Sequence, residues 1–108
     1  MTDIGDLERF GNPSQDTTSA PFTTLAGVAT NPTAVTLVVE KPDGSQLAYG
    51  WPGAGADGTL TNESAGRFYA EVLIDQSGKW LFRLEGTGAV TAASEGNLRV
   101  DRQRVVAP

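Results

Sequence analysis

Wherever apolar residues are sustained in this 108-residue chain, they recur at every second position and not at helical spacing. In the stretch "TAVTLVVEKPDGSQLAYGW" (33–51), Val35, Leu37 and Val39 share one face while Thr36, Val38 and Glu40 share the other, because successive side chains of a strand point to opposite sides. Pro42-Asp43-Gly44 then reverses the chain: Pro presets φ, Asp bonds its own backbone, and Gly takes the position that needs φ > 0. Leu47, Tyr49 and Trp51 continue the alternation, so residues 34–51 are expected to form a β-hairpin. Arg67 to Ile74 alternates again, with Phe68, Ala70, Val72 and Ile74 on one face and Tyr69, Glu71 and Leu73 on the other. The turn residues Asp75-Gln76-Ser77-Gly78 lead into Lys79 to Glu85, which predicts a second hairpin. Asn97 to Val100 reads as a closing strand. No window combines a helix start with apolar residues at i, i+3, i+4 and i+7, so the chain is expected to be all-β. Strands this short, separated by turn signals, point to a two-sheet sandwich, since one sheet could not hide Val35, Leu37, Val39, Phe68, Val72, Ile74, Trp80, Phe82 and Leu84 together.

Two stretches break the pattern. Residues 1–33 show no sustained period, and "GNPSQDTTSAP" (11–21) has loop composition. This segment reads as an extended arm or long loop, with a first strand allowed at 4–10 and with Phe10, Phe22 and Leu25 as pins; 34–100 is the sandwich core and 101–108 a C-terminal tail. Residues 52–64, with Gly53, Gly55 and Gly58, read as a second long loop. At this length a single domain with one core is expected.

Composition narrows the chemistry. There is no cysteine and no histidine, which excludes disulfides, thiolate metal sites and the usual base for a serine nucleophile, so an enzyme is not expected. The net charge of −5, from 13 acidic and 8 basic residues, disfavours nucleic acid as a partner. Arg99, Arg102 and Arg104 near the end make either a solvated terminal strand or an electrostatic docking tail. The start "MTDIGDLERF" lacks the basic and apolar parts of a signal peptide, and no run approaches the ~18 apolar residues of a membrane span, so neither secretion nor a membrane partner is expected.

The candidate motifs are weak beside their plain readings. "GAGADG" (53–58) has neither the following helix nor the lysine of a phosphate cradle. Asp57, Asn62 and Glu63 could offer oxygens to calcium, but their spacing is not that of a calcium loop and the shell is thin, so no metal or cofactor is expected. "NES" (62–64) fits a glycosylation acceptor only by chance without a signal peptide. Glu71 and Glu85, which with Asp75 might suggest glycosidase carboxylates, fall on outward faces. Gly86 and Gly88 most simply permit a bend or bulge after an aromatic strand. Tyr49 and Trp51 are a contact surface if they face outward and core if inward; two large rings are seldom left bare without a partner.

"NPTAVTLVVEKPDGS" (31–45), "AGRFYAEVLIDQSGKWLFRLEGTGAVTAASEG" (65–96) and the closing "NLRV" together resemble small Ig-like β-sandwich structural proteins of tailed bacteriophages and prophages, encoded among head and head–tail genes. The shared pattern is a Pro-Asp-Gly hairpin, a Gly-Arg-Phe-Tyr strand, a Gly-x-Trp strand, then Gly-Thr-Gly. It maps onto Pro42, Asp43, Gly44, Gly66, Phe68, Tyr69, Gly78, Trp80, Gly86 and Gly88 as fold-defining positions. The resemblance implies an Ig-like two-sheet antiparallel β-sandwich, here with a long irregular N-terminal arm that departs from the family's shorter first strand. It also implies a structural virion protein, assembled in the host cytoplasm, that acts as a decoration, minor capsid or head–tail component. The partners implied are the major capsid protein, head–tail proteins or further copies of the chain. Contact candidates are Phe10, Phe22 and Leu25 in the arm, Tyr49 and Trp51 on the hairpin, and Arg102 and Arg104 in the tail. The alternative function is an Ig-like carbohydrate- or cell-surface-binding module using Tyr49 and Trp51.

Overall fold

Period-two alternation becomes two stacked sheets in the computed structural model, which describes residues 5–13, 21–88 and 92–100. Among the described residues the strands are β1 (Leu7–Gly11), β2 (Ala34–Glu40), β3 (Gln46–Trp51), β4 (Gly58–Thr59), β5 (Thr61–Ser64), β6 (Arg67–Leu73), β7 (Gly78–Thr87) and β8 (Ala92–Val100). They form a three-stranded sheet of order β1-β6-β5 and a five-stranded sheet of order β4-β3-β2-β7-β8. The protein is an all-β sandwich.

The β2–β3 hairpin forms as its sequence predicts, with Val35 opposite Trp51 and Glu40 opposite Gln46. The second expected hairpin does not form. β6 pairs with β1 and β5, whereas β7 pairs with β2 and β8, so Asp75–Ser77 carries the chain from one sheet to the other. Alternation assigns Ile74 and Trp80 to the interior, and both are fully buried, but it is silent on which strand lies alongside. The true hairpin around the aromatic strand is β7–β8, and β8 starts at Ala92, five residues before the expected closing strand. Residues 52–64 also hold more order than loop composition suggests: β4 pairs in parallel with β3, and β5 pairs with β6.

Residues 1–33, read as an arm outside a 34–100 core, contribute β1 and two core rings. Phe10 and Phe22 are 2 % and 6 % exposed. Phe10 stacks on Trp80 across the sheets at 6.0 Å and meets Phe82 edge-on at 5.6 Å, while Phe22 and Trp51 both reach Phe68, at 6.1 and 4.8 Å. Around these rings lie Val35, Leu37, Val39, Leu60, Val72, Ile74, Leu84 and Val100, all buried. Gly86 is not a bend. It lies within β7 opposite Val35, and a Cβ there would sit 2.7 Å from the Pro32 ring and 3.0 Å from Phe22, so its lack of a side chain is what lets the 21–33 segment pack against the sheet.

A buried amide ties the end of β1 to the start of β6. Asn12, 4 % exposed, donates from Nδ2 to the Gly66 carbonyl (2.9 Å) and accepts the Phe68 N–H at Oδ1 (2.8 Å). Both ends of its amide are thereby satisfied, as burial requires. At the opposite end of the sandwich, the turn after β2 is tied to the β6–β7 crossing. Lys41 pairs with Asp75 at 3.0 Å, and Gln76 both donates to the Asp43 carboxylate and accepts the Asp43 N–H. Asp43 also receives the Ser45 hydroxyl at 2.7 Å and the Ser45 N–H at 2.9 Å, and Gly44 takes φ +91°.

Two predictions follow from the core and from this turn. Phe10→Ala and Trp80→Ala should each lower stability in urea unfolding by about 3–5 kcal/mol, with a coupling of about 0.5–1.5 kcal/mol in the double-mutant cycle; additive losses would show that the rings do not support each other. The Asp43 carboxyl is held below the ordinary carboxylate value, chiefly by the Ser45 hydroxyl, then by the Ser45 N–H and Gln76. A carboxyl whose pKa is lower folded than unfolded stabilises the fold above its unfolded pKa, and that contribution is lost as pH falls through the folded value. The urea midpoint of wild type should therefore exceed that of Asp43→Asn by a small, constant margin from neutral pH to about 5, and the two should converge below about 4; a margin that persists in acid would rule out this role.

Candidate functional site

The strand directions sort the connections onto two ends. The 41–45 turn and the 74–77 crossing lie at one end, together with Gly5 and Val100, the first and last described residues. At the other end lie Asn12 and Pro13, residues 21–33, the loop after Trp51, the Ala65-Gly66 turn and Gly88. The second end carries the long irregular segments, which is where a scaffold of this kind places binding residues.

Its most prominent feature is a small hairpin. Thr23 bridges Ala29, the Phe22 carbonyl accepts the Thr30 N–H, and the Thr24 carbonyl accepts the Gly27 N–H. Thr24 in turn donates its N–H to the Val28 carbonyl and accepts the Val28 N–H at its hydroxyl. The base is anchored by Phe22 in the core, whose N–H donates to the Gly66 carbonyl, and by Asn31. The Asn31 Oδ1 accepts the Gly66 N–H at 2.8 Å, and its Nδ2 donates to Asn62 Oδ1 at 3.0 Å. Asn62 passes the chain of bonds on to the Ser64 and Arg67 carbonyls. The tip so held presents Leu25, fully exposed, and Val28, 60 % exposed.

Beside it, the loop 52–57 folds back over the outer face of β3. The Trp51–Pro52 peptide bond is cis, Asp57 donates its N–H to the Ala48 carbonyl, and its carboxylate accepts the Ala48 N–H at 2.7 Å. The backbone of 53–55 lies so close to the strand that a Cβ on Gly50 would be 2.5 Å from the Gly53 carbonyl oxygen, and one on Gly55 2.8 Å from that of Ala48. Between this loop and the exposed face of β2 lies a concavity of about 530 Å³, walled by Pro52, Gly53 and Ala54 and floored by Thr36, Val38 and Ala48.

Of the contact candidates read from the sequence, only Leu25 lies open at this end. Phe10 and Phe22 face the interior because their strand and loop pack against β7 and β6. Tyr49 and Trp51 stand opposite Leu37 and Val35 on the inner face of the larger sheet, half-buried because β3 lies near its margin. Burial, and then the Asp57 carboxylate, push the Tyr49 phenol above its ordinary value, so it stays protonated at neutral pH. Arg102 and Arg104 lie outside the described residues.

The oxygens considered for calcium are engaged elsewhere: Asp57 with Ala48, Asn62 with Asn31, and Glu63 with Arg9 at 4.0 Å. Glu71 and Asp75 face solvent, the latter paired with Lys41, and Glu85 joins Arg83, which also reaches Glu95 at 3.3 Å. Sequence reasoning missed Asn12 and Asn31, which hold this end together. The available signal was that each precedes a proline, Pro13 and Pro32, which favours extended backbone and frees the amide to bond across the chain. No protein-family model matches the chain, and no curated protein or solved structure shows significant similarity to it.

Because Trp51 packs on Phe68 from the inner face, Trp51→Ala should destabilise the protein by about 2 kcal/mol in urea unfolding. An unchanged midpoint would mean that the ring is free to act at the surface.

Proposed function

We propose that this chain is a structural component of a tailed-phage virion, a decoration, minor capsid or head–tail protein that acts through protein–protein contacts. The observation that carries the reading is a rigid all-β scaffold that holds an uncharged, apolar hairpin tip out to solvent at the end where its long loops gather. Such a tip contributes nothing to its own core and gains only when another surface covers it.

The Ig-like reading of the fold is supported by strand order. The five-stranded sheet β8-β7-β2-β3-β4 follows the order G-F-C-C′-C″ of variable-type Ig domains, and β1-β6-β5 follows B-E-D, without an A strand among the described residues. In that correspondence β1 and β7 are the strands an antibody domain joins by its disulfide. This chain, without cysteine, places the Phe10–Trp80 stack between them. The parallel β3–β4 pairing departs from the pattern, since hairpin-connected strands there run antiparallel. The carbohydrate- or cell-surface-binding alternative would use Tyr49 and Trp51 as an open stacking platform; both stand half-buried on the inner face of the larger sheet, which weighs against it.

The test is quantitative mass spectrometry of purified phage particles from the source, with this chain's copy number compared with that of the major capsid protein. A ratio near one indicates a lattice decoration, and a few copies indicate a connector or tail position. Absence from the particles would overturn the reading.

A further inference from the structure

Knob and hollow stand side by side at one end of this molecule. Leu25 is fully exposed, so it does not fill its own chain's concavity, and the hydrogen bonds of the 22–30 hairpin keep it from folding back. The concavity of about 530 Å³ has room for the whole Leu25–Val28 turn and not merely one side chain. Its depth comes from small groups: Ala48 and Gly50 on β3 lower the floor, and the 53–55 backbone raises a wall.

Charge favours one occupant. Among the described residues none that lines the concavity is charged, and neither is any residue from Pro21 to Pro32. The chain as a whole carries −5. Two copies therefore repel through most of their surfaces, and the contact that avoids like-charge approach is one to which neither copy brings a charge. Knob and hollow meet that condition together.

We propose that the Leu25–Val28 tip of one copy seats in the concavity between loop 52–55 and β2 of a second copy. This rests on the reading of the chain as an assembly component and names one of its partners as itself. The two surfaces are different patches, so the contact is heterologous: each copy offers one knob and one hollow, and the angle between them decides whether the chain of contacts closes or runs on.

The test is sedimentation velocity of the full chain over a range of concentrations up to about millimolar. Wild type should shift from monomer to larger species as concentration rises. Leu25→Asp places a charge on the knob and Ala54→Asp places one on the wall of the hollow, in a loop position with no cross-strand neighbour. Both positions are exposed, so both variants should keep the wild-type urea midpoint while self-association weakens by at least about tenfold. Leu25→Met should associate as wild type does. An equimolar mixture of Leu25→Asp and Ala54→Asp should recover a heterodimer, since one intact knob then meets one intact hollow. A wild type that stays monomeric throughout, a Leu25→Asp that associates normally, or a mixture that stays monomeric would each overturn the proposal. These outcomes are separate from the particle measurement. A chain present in particles whose self-association ignores Leu25 defeats this inference alone, and one absent from particles that associates through Leu25 defeats only the virion reading.

Discussion

The contact between the two sheets through Phe10, Trp80 and Phe82 is the constraint on which the remaining structure depends. A sheet of three strands and one of five have no disulfide between them, since the chain lacks cysteine, so burial of their inner faces is the main force that holds them together. Trp80 lies at the centre of that burial. Its ring meets Phe10 from the opposite sheet, its indole N–H donates to the Gln76 carbonyl at 3.1 Å, and the Lys41 ammonium stands 5.7 Å above it. The apolar body is thus in the core while the polar edge satisfies the crossing between sheets, an arrangement that suits Trp at the boundary of buried and polar surroundings.

The loop-bearing end is organised differently, by amides instead of rings. Asn12, Asn31 and Asn62 join segments far apart in the chain to the Ala65-Gly66 turn, and among the described residues no buried side-chain polar atom lacks a partner. Hydrogen bonds of this kind contribute modestly when made and cost more when half is removed. Their effect is positional: they set where the 22–30 hairpin emerges, and Phe22 beneath it, seated against Gly86, sets how closely it approaches the sheet. A side chain such as Leu25 is kept in solvent by the ordering of its neighbours and not by any preference of its own.

The two ends differ in chemistry. The 41–45 turn and the 74–77 crossing are locked by Lys41–Asp75, Gln76 and Ser45 into a small polar cluster, and Gly5 and Val100, the first and last described residues, are found there too. The charge-free tip and hollow lie at the other end.

Local physics was legible in the residues. Val35, Leu37, Val39, Phe68, Ala70, Val72, Ile74, Trp80 and Leu84 are buried because alternation in a strand admits no other sorting, and the β2–β3 turn follows from Pro42-Asp43-Gly44 alone. What alternation does not encode is the neighbour. Asp75-Gln76-Ser77-Gly78 has the chemistry of a reversal whether the chain returns beside itself or crosses to the facing sheet, and only the pairing of β7 with β2 decided for the crossing. The same limit hid the role of the first quarter. Phe10 and Phe22 were legible as pins of an arm, with a strand allowed at 4–10, but that they fill the main core was not, because the ring-sized spaces they enter are left by strands distant in the sequence. Orientation of Tyr49 and Trp51, burial of Asn12 and the exposure of Leu25 were decided in the same way, by packing between segments distant along the chain, which is the part of folding that a linear pattern cannot carry.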